Sequence, residues 1–349
     1  MRTRVLRGLV AATVVLSGLT ACATGPSGST ALATSSSAAT GAATDAFPVT
    51  VKHAFGSTTL QRRPERIATV SWVNADVALA LGVVPVGMPA DEWGGNAKKS
   101  TPWKDAALKE AGAAIGSPKA PAQYLETDGP DYAAIAQTTP DVILAAYSGL
   151  TKEQYDKLTQ IAPVVAYPDL AYGTSWQEAT TMIGAALGRS DQAEQLVEST
   201  ERKIAARVAK YPQLAGKTFI YGNLQAGKPV SVYTAQDNRS RFLSLVGMKL
   251  APVVADRTAD AKAFFVDWSA ERADELASDV FVSWVPDAAT ARAVRRDPLI
   301  GRIPAVRRGA LVTDSDNTLT LAISASSPLS LPWALDAVLP RLAAAADAA

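Results

Sequence analysis

The chain has 349 residues, of which 34 are Lys or Arg, 33 are Asp or Glu, one is His and one is Cys. This near balance of charge excludes the strongly basic surface that nucleic-acid binding requires, and one Cys can form neither an internal disulfide nor a cysteine zinc site. With 48% hydrophobic and 19% charged residues, the composition is that of a globular protein.

The N-terminus has the features of an export signal. Three arginines precede an apolar run, Leu9 to Leu19, which is too short to span a bilayer comfortably. The run ends in Leu19-Thr20-Ala21-Cys22, which resembles the lipobox of bacterial lipoproteins, where the cysteine sulfur receives a diacylglyceryl group. We therefore expect a signal peptide over residues 1–21 and a lipidated Cys22 that anchors the exported protein to the outer face of the cytoplasmic membrane. An ordinary secretory signal with a chance Cys is the alternative.

The segment after Cys22 has a linker composition. It consists of Ala, Ser, Thr and Gly with one Pro, one Leu and no charge as far as Thr44, and such a segment cannot bury a core. We predict a flexible tether over residues 22–46, with an average reach of roughly 27 Å. The remaining chain, from about Phe47, is long enough for two domains.

The first half of this region alternates between short apolar strands and helices. Val49 to Gln61 alternates apolar and polar residues around Gly56, which predicts a hairpin. Strands are then predicted at Ile67–Val70, Val84–Met88, Val142–Ala145 and Val164–Tyr167, with helices at 74–81 and 152–161. This alternation predicts a mainly parallel sheet covered on both faces, whose ligands meet the loops at the carboxyl ends of the strands.

The pattern changes at Ser175, where Ser175 to Glu178 fits a capping box. That helix is predicted to end near Gly188, and a second helix runs from about Asp191 to Lys210, a rod of about 30 Å. Strands and helices alternate again beyond it. We predict an α/β fold of two Rossmann-like lobes with mainly parallel sheets, joined by one long α-helix, with a ligand cleft between the lobes. The lobes are predicted at residues 47–173 and 213–349, and the connecting helical segment at 174–212.

This order of elements resembles the periplasmic substrate-binding proteins of ABC importers for ferric siderophores, haem and cobalamin. Four phrases carry the resemblance: "RIATVSWVNADVALALGVVPVG", "DGPDYAAIAQTTPDVILA", "SWQEATTMIGAALGRSDQAEQLV" and "DPLIGRIPAVRRGALV". It implies a monomer that captures a ferric siderophore and delivers it to the ABC permease, with no catalytic activity and no cofactor of its own. It also implies that the stiff connecting helix limits closure of the lobes to a small angle.

Three alternatives stay open. The first alternative is a protein of the same class that carries haem or a corrinoid. Tyr147, Tyr221 and Tyr233 are candidate axial ligands for haem. From other classes, the protein is an exported hydrolase, or an envelope interaction protein without a transport role. His53 is the only histidine and lies in the predicted hairpin, and no Gly-x-Ser-x-Gly motif is present, which argues against both a hydrolase and a site for a free metal ion.

Aromatic residues recur next to the predicted strands and in the loops. Rigid aromatic faces bury a wide, flat chelate well, whereas packing in the core or at a rim is the alternative role for each ring. The candidate ligand-binding aromatic residues are Trp72, Trp93, Tyr147, Tyr221, Tyr233, Trp268 and Trp284.

Two arginines are candidates for contacting the oxygens of the ligand. Arg239 and Arg241 lie where a helix of the second lobe is predicted to begin, and the planar guanidinium pairs bidentately with such oxygens. Solvated surface positions are the alternative. Hydroxamate-binding members of the family often have an arginine in the first lobe, but the stretch "GMPADEWGGNAKKS" offers only Lys98 and Lys99, so the siderophore chemistry stays open.

Members of the family also dock on their permease through one exposed glutamate in each lobe. Glu271 in "DWSAERADEL" matches the pattern of the second lobe, although an acid at the start of a helix is also stabilised by the helix dipole. The first-lobe position is occupied by Ala133, which puts that contact in doubt unless Asp131 or Glu126 substitutes for it.

Overall fold

The structure, a computed structural model, describes residues 45–259 and 262–349. The predicted signal peptide, the predicted lipidation site at Cys22 and nearly all of the predicted tether lie outside these residues. Within the described part of the chain, no helix has both the length and the apolar character needed to cross a bilayer.

The first lobe begins with the predicted hairpin, formed by antiparallel strands β1 (Val49–His53) and β2 (Gly56–Leu60). Gly56 makes the turn with a φ of 123°, a backbone conformation open mainly to glycine. The hairpin is followed by a five-stranded parallel sheet in the order β5-β4-β3-β6-β7. Its strands are β3 (Ile67–Thr69), β4 (Gly87–Pro89), β5 (Ala122–Tyr124), β6 (Val142–Ala145) and β7 (Val164–Ala166).

Helices cover both faces of this sheet, and this explains why every residue of β3, β6 and β7 is buried. The helices are α1 (Val73–Ala80), α2 (Pro102–Glu110), α3 (Tyr132–Gln137) and α4 (Lys152–Thr159). In this order β4, the next strand along the chain, lies on one side of β3, whereas β6 lies on the opposite side of β3. The loops after β3 and β6 therefore lie at the point where the strand order reverses, which is where open α/β sheets bind ligands.

Two helices connect the lobes, as the sequence predicts. Ser175 accepts a hydrogen bond from the Glu178 N–H and begins α5 (Trp176–Ala186). After Gly188, which has a φ of 64°, the chain turns into α6 (Ser190–Val208), a helix about 28 Å long.

The second lobe has a mixed sheet, in which three of the five strand pairs are parallel, in agreement with the predicted mainly parallel sheet. The order is β11-β9-β8-β12-β13, and β9 is antiparallel to both of its neighbours. A short strand, β10, also pairs in parallel with the beginning of β8. The strands are β8 (Thr218–Asn223), β9 (Val230–Tyr233), β10 (Lys249–Leu250), β11 (Phe265–Trp268), β12 (Val280–Trp284) and β13 (Leu311–Asp314).

Six α-helices and three short 3₁₀ segments accompany this sheet within the described residues. The α-helices are α7 (Asn238–Leu245), α8 (Pro252–Arg257), α9 (Ala288–Arg296), α10 (Pro304–Arg307), α11 (Asn317–Ser324) and α12 (Ser330–Asp347). The 3₁₀ segments are Pro212–Leu214, Ala270–Glu275 and Ile300–Arg302.

One hydrophobic core runs through both lobes. It includes Val77 of α1, Ile183 of α5, Ile204 of α6, Phe219 of β8 and Leu342 of α12, each almost completely buried. The lobes thus share packed side chains as well as a covalent connection, and close packing resists large relative movement.

Candidate functional site: a cleft between the lobes

Two adjoining cavities form one cleft. A cavity of about 520 Å³ is walled by loops of the first lobe, and a second cavity of about 350 Å³ is walled by both lobes. Trp72, Trp93 and Tyr172 line both cavities. Their combined space is in the range of small-molecule binding sites.

The floor of the cleft is built where the strand order of the first lobe reverses. Buried Asn74, in the first turn of α1, donates hydrogen bonds to the carbonyls of Val70 and Tyr147 and accepts one from the Tyr147 N–H. One side chain thus ties together the loops that follow β3 and β6. Ser71 and Tyr172, which both line the cleft, have left-handed φ values of 62° and 57°, and such strain in residues other than glycine is concentrated at functional sites.

Five aromatic rings form the walls: Phe264 of the second lobe, which was not predicted, and four rings of the first lobe. Trp72 and Trp93 are each 39% exposed, although large apolar rings are usually buried. Tyr172 lies 6.4 Å from the Trp72 ring and 5.9 Å from the Tyr147 ring, measured between centroids. Of these rings, Trp72, Trp93 and Tyr147 are predicted from the sequence, and Tyr172 is not.

Two polar contacts join the lobes beside the cleft. The Tyr147 hydroxyl donates to the Ser324 carbonyl (3.2 Å), and the Thr318 hydroxyl donates to the Gly94 carbonyl (2.7 Å). Within the second lobe, Asn238 donates to the same Ser324 carbonyl, at 3.4 Å. Gly94 is required at its position, because its φ is 76° and a Cβ there would lie 2.8 Å from the Asn317 carbonyl oxygen.

Trp284 lies at the meeting point of the lobes, at the end of β12. Its ring packs edge to face on Trp93, with centroids 6.0 Å apart, and its indole N–H donates to Asn317 Oδ1 (2.9 Å). Trp284 therefore supports a ring of the wall and does not line either cavity.

Arg239 lines the cleft from the second lobe. Its Nε and Nη2 donate to the two oxygens of Asp237 (2.8 and 2.7 Å), and its guanidinium lies 3.6 Å from the centroid of the Tyr233 ring. Burial lowers the pKa of Arg239, but the hydrogen bonds and charge of Asp237 outweigh burial and raise it. The guanidinium is thus held rigidly, with N–H groups left over for a ligand.

Arg241 lies outside the cleft, on another side of α7. It donates to the Gly173 carbonyl (2.6 Å) and to Gln236 Oε1 (3.2 Å), and it lines a separate cavity beside Trp176. Residues 239 and 241 are separated by about 200° around a helix, which explains why only one of the two predicted arginines reaches the cleft.

Three other predicted aromatic residues do not line the cleft. Trp268 is 2% exposed, belongs to the core of the second lobe and donates to the Arg272 carbonyl. Tyr221 is also 2% exposed and packs edge to face beneath Tyr233. Tyr233 itself is covered by Arg239 and supports it from below. Strand side chains alternate in direction, so a position near a strand end does not by itself choose between core and cleft.

Glu126 lines the cleft. The sequence indicates it only as a substitute for the first-lobe glutamate that contacts the permease. Its Oε2 accepts a hydrogen bond from the Ser71 N–H (2.8 Å), and its Oε1 is buried with no hydrogen-bond partner among the described residues. Burial raises the pKa of its carboxyl to about 7. Glu126 follows β5, and the rule that ligand loops follow parallel strands would have identified it had β5 been predicted.

A buried ionic cluster supports the loop that carries Trp93. It consists of Lys104 in α2, Asp91 two residues before Trp93, and Asp76 in α1. The Lys104 ammonium is 2.6 Å from Asp91 and 3.8 Å from Asp76. Asp76 also accepts hydrogen bonds from the Trp103 indole (2.6 Å) and from Ser327 (2.7 Å), a residue of the loop between α11 and α12.

The remaining predicted residues lie away from the cleft. His53 bonds to Thr58 (3.0 Å) within the hairpin. Glu271 is exposed in the 3₁₀ segment Ala270–Glu275, and Asp131 begins α3 by accepting from the Ala134 N–H.

Comparison with known proteins gives the same architecture. Residues 67–318, well over half of the chain, match the model of a family described as periplasmic binding protein. The chain is 34% identical to PiaA of Streptococcus pneumoniae TIGR4, solved in complex with ferrichrome, and the alignment covers 86% of this chain and 99% of that one with a TM-score of 0.80.

Two curated relatives align over a shorter stretch. The probable siderophore-binding lipoprotein YfiY of Bacillus subtilis is 29% identical over 53% of this chain and 52% of the relative. The Fe(3+) dicitrate-binding periplasmic protein FecB of Escherichia coli K12 is 27% identical over 60% of this chain and 65% of the relative. The chain therefore matches only about half to two thirds of the length of these relatives.

Proposed function

The chain belongs to the periplasmic binding protein family, and on this premise we propose that it captures a ferric siderophore and delivers it to an ABC importer. The observation that carries the proposal is the aromatic cleft between the lobes with Arg239 in its wall. The similarity to PiaA, crystallised with ferrichrome, covers both lobes and supports the same reading.

The chemistry of the cleft suits a metal that arrives already wrapped by its own ligands. Trp72, Trp93 and Tyr172 offer apolar faces to the organic part of such a chelate. Arg239 offers hydrogen-bond donors to the oxygens that surround the metal. Neither contact requires the protein to coordinate iron.

The position of the tyrosines favours this cargo over haem. Axial ligation by tyrosine needs an accessible phenolate, but the Tyr147 hydroxyl is bonded to the Ser324 carbonyl and Tyr221 is in the core. Burial also raises the pKa of both hydroxyls and that of the cleft residue Tyr172, which opposes ionisation of all three. Corrinoid binding is tested separately, by including cobalamin in the titration described below. A hydrolase is disfavoured because the only histidine of the sequence, His53, is hydrogen-bonded within the hairpin.

Titration of the purified protein tests the proposal. We expect one class of ferric siderophore to quench tryptophan fluorescence with a Kd below about 1 µM, or roughly −8 kcal/mol, because Trp72 and Trp93 line the cleft. The panel contains ferric hydroxamates, ferric catecholates, haem and cobalamin, and the iron-free siderophores serve as controls. Tightest binding of haem or cobalamin would replace the proposed cargo, and no binding of any compound would reject the transport role.

We further propose that the mature protein is anchored by a lipid on Cys22. The support is the lipobox-like Leu19-Thr20-Ala21-Cys22 in the sequence and the description of YfiY as a lipoprotein. The mass of the N-terminal peptide of protein purified from membranes decides between a diacylated Cys22 and an ordinary cleaved N-terminus.

For delivery, we propose that Glu271 contacts the permease. We expect Glu271→Ala to lower siderophore uptake by cells while the affinity of the purified protein stays within about threefold of wild type, because this exposed carboxylate lies outside the cleft. Glu275→Ala is the matched control, since Glu275 lies in the same segment but is bonded to Arg272 (2.7 and 2.8 Å). Equal uptake by the Glu271 variant and wild type, or equal defects in both variants, would contradict the assignment.

A further inference from the structure

The charged side chains around the cleft are mostly acidic. Those that line the two cavities are Glu92, Glu126, Asp128, Asp237 and Arg239. Two of the four acids have a cationic partner: Asp237 pairs with Arg239 at 2.7 Å, and Glu92 pairs with Lys99 at 3.3 Å. Neither Glu126 nor Asp128 has a cation within salt-bridge distance among residues 45–259 and 262–349.

The nearest buried cation does not neutralise Glu126. Lys104 influences its carboxyl only over a longer distance, and its ammonium is already bonded to Asp91 and close to Asp76. Two carboxylates share that single cation, so the cluster itself has an excess of negative charge. The wall formed by the first lobe therefore presents unbalanced negative charge to the cleft.

The second lobe does not offset this charge. The only cation that lines the described cleft is Arg239, and Asp237 binds it through both carboxylate oxygens. The pair contributes hydrogen-bond donors without net charge. Such donors suit the oxygens of an uncharged chelate, whereas they supply no net attraction for an anion.

From these contacts we infer that the cleft selects uncharged or cationic ferric chelates, such as tris-hydroxamates, and discriminates against anionic catecholate and carboxylate chelates, with Glu126 as the specificity-determining residue. This inference rests on the proposed function. Hydroxamates can cancel the charge of Fe(III), whereas catecholates leave the chelate anionic. Like charges brought together at an interface oppose binding of the wrong partner.

Glu126 has the geometry for this role. Its Oε2 is held by the Ser71 N–H, and its Oε1 is buried without a hydrogen-bond partner among the described residues, so the carboxylate is fixed in the wall and acts on the ligand through its charge. Because burial raises the pKa of this carboxyl to about 7, measurements are best made at about pH 8, where it is mostly ionised.

The test compares the affinities of two probes for each protein: ferrichrome, an uncharged tris-hydroxamate, and ferric enterobactin, an anionic tris-catecholate. We expect wild type to bind ferrichrome at least about thirtyfold more tightly, and Glu126→Gln to reduce this ratio roughly tenfold, as removal of one nearby charge predicts. Glu153→Gln is the matched control, because Glu153 is a glutamate of the same lobe that lines neither cavity and is paired with Lys157 at 2.7 Å, and it should change the ratio by less than about twofold. Thermal unfolding of each variant checks that it is folded.

The outcomes separate this inference from the proposed function. Equal or tighter binding of the catecholate by wild type overturns the charge selection but leaves siderophore capture intact. An unchanged ratio in folded Glu126→Gln overturns the role of Glu126. Failure of both probes and of every other ferric siderophore rejects the proposed function itself.

Discussion

Replacing Lys104 with methionine is expected to reduce the free energy of unfolding by about 3–5 kcal/mol, because removal of one partner leaves buried charges uncompensated. The Lys104 side chain is 3% exposed, and the carboxylates of Asp91 and Asp76 are similarly enclosed. Methionine fills a similar volume, so the loss reports the missing charge and hydrogen bond more than a cavity. Urea unfolding followed by circular dichroism measures it.

Lys99→Met provides the control for this experiment. Lys99 is also paired with an acid, Glu92, but both side chains are about half exposed, and exposed pairs contribute only about 0–1 kcal/mol. If the free energy of unfolding of the Lys104→Met variant falls by less than about 1 kcal/mol, Asp76 and Asp91 become neutral or hydrated at little cost once the lysine is removed. The cluster would then not support the Trp93 loop.

The same cluster determines how the loss depends on pH. Burial raises the pKa of Asp76 from 3.8 to about 6, although Lys104 opposes this shift. A carboxyl with a raised pKa in the folded state contributes stability that is present below its unfolded pKa and is lost as the pH rises through about 6. Without Lys104, less opposes the shift, so the deficit of the Lys104→Met variant should be larger at pH 8 than at pH 5.

Replacing Arg239 with methionine is expected to weaken binding of the best ferric siderophore roughly 10–100-fold. The variant loses charge-assisted hydrogen bonds from the wall of the cleft, which are worth about 1.5–3 kcal/mol each. It also leaves Asp237, which is 4% exposed, without its cation, and this adds negative charge beside the ligand. Fluorescence titration of the folded variant measures the change in Kd.

Arg241→Met is the matched control, because Arg241 lies two residues away in the same helix. It lines a different cavity and donates to the Gly173 carbonyl, so its loss should change the affinity by less than about threefold, or under 1 kcal/mol. If the two variants lose affinity equally, the effect comes from α7 as a whole and not from a guanidinium in the cleft.

Short strands with few apolar residues escaped prediction. β5 is only three residues long (Ala122–Tyr124), and just one of them is buried, so it has no hydrophobic pattern to recognise. Glu126 follows this strand, and its place in the cleft was therefore missed. Tyr172 was missed for a related reason, since it lies in an irregular loop with a left-handed backbone that no periodic pattern describes.

The antiparallel direction of β9 was also not predicted, although the sequence contains the signal for it. Its alternating residues predict a strand, but whether that strand runs parallel or antiparallel depends on how the chain returns to the sheet. β8 and β9 are joined by a connection of only six residues, and a connection that short cannot cross over to make a parallel pair. The same argument applied to the sequence would have predicted the antiparallel pair.

The sequence by itself determined the hairpin, the alternating α/β halves and the two connecting helices, because these depend on the spacing of apolar residues and on caps such as Ser175, which act over a few neighbours. Only the tertiary structure decided which aromatic and charged residues face the cleft. Trp72 follows β3 and Trp268 is the last residue of β11, yet Trp72 is 39% exposed in the cleft and Trp268 is buried in a core. Arg239 and Arg241 are two residues apart but point into different cavities. Such choices depend on side-chain direction and on packing between distant segments, which a local pattern does not contain.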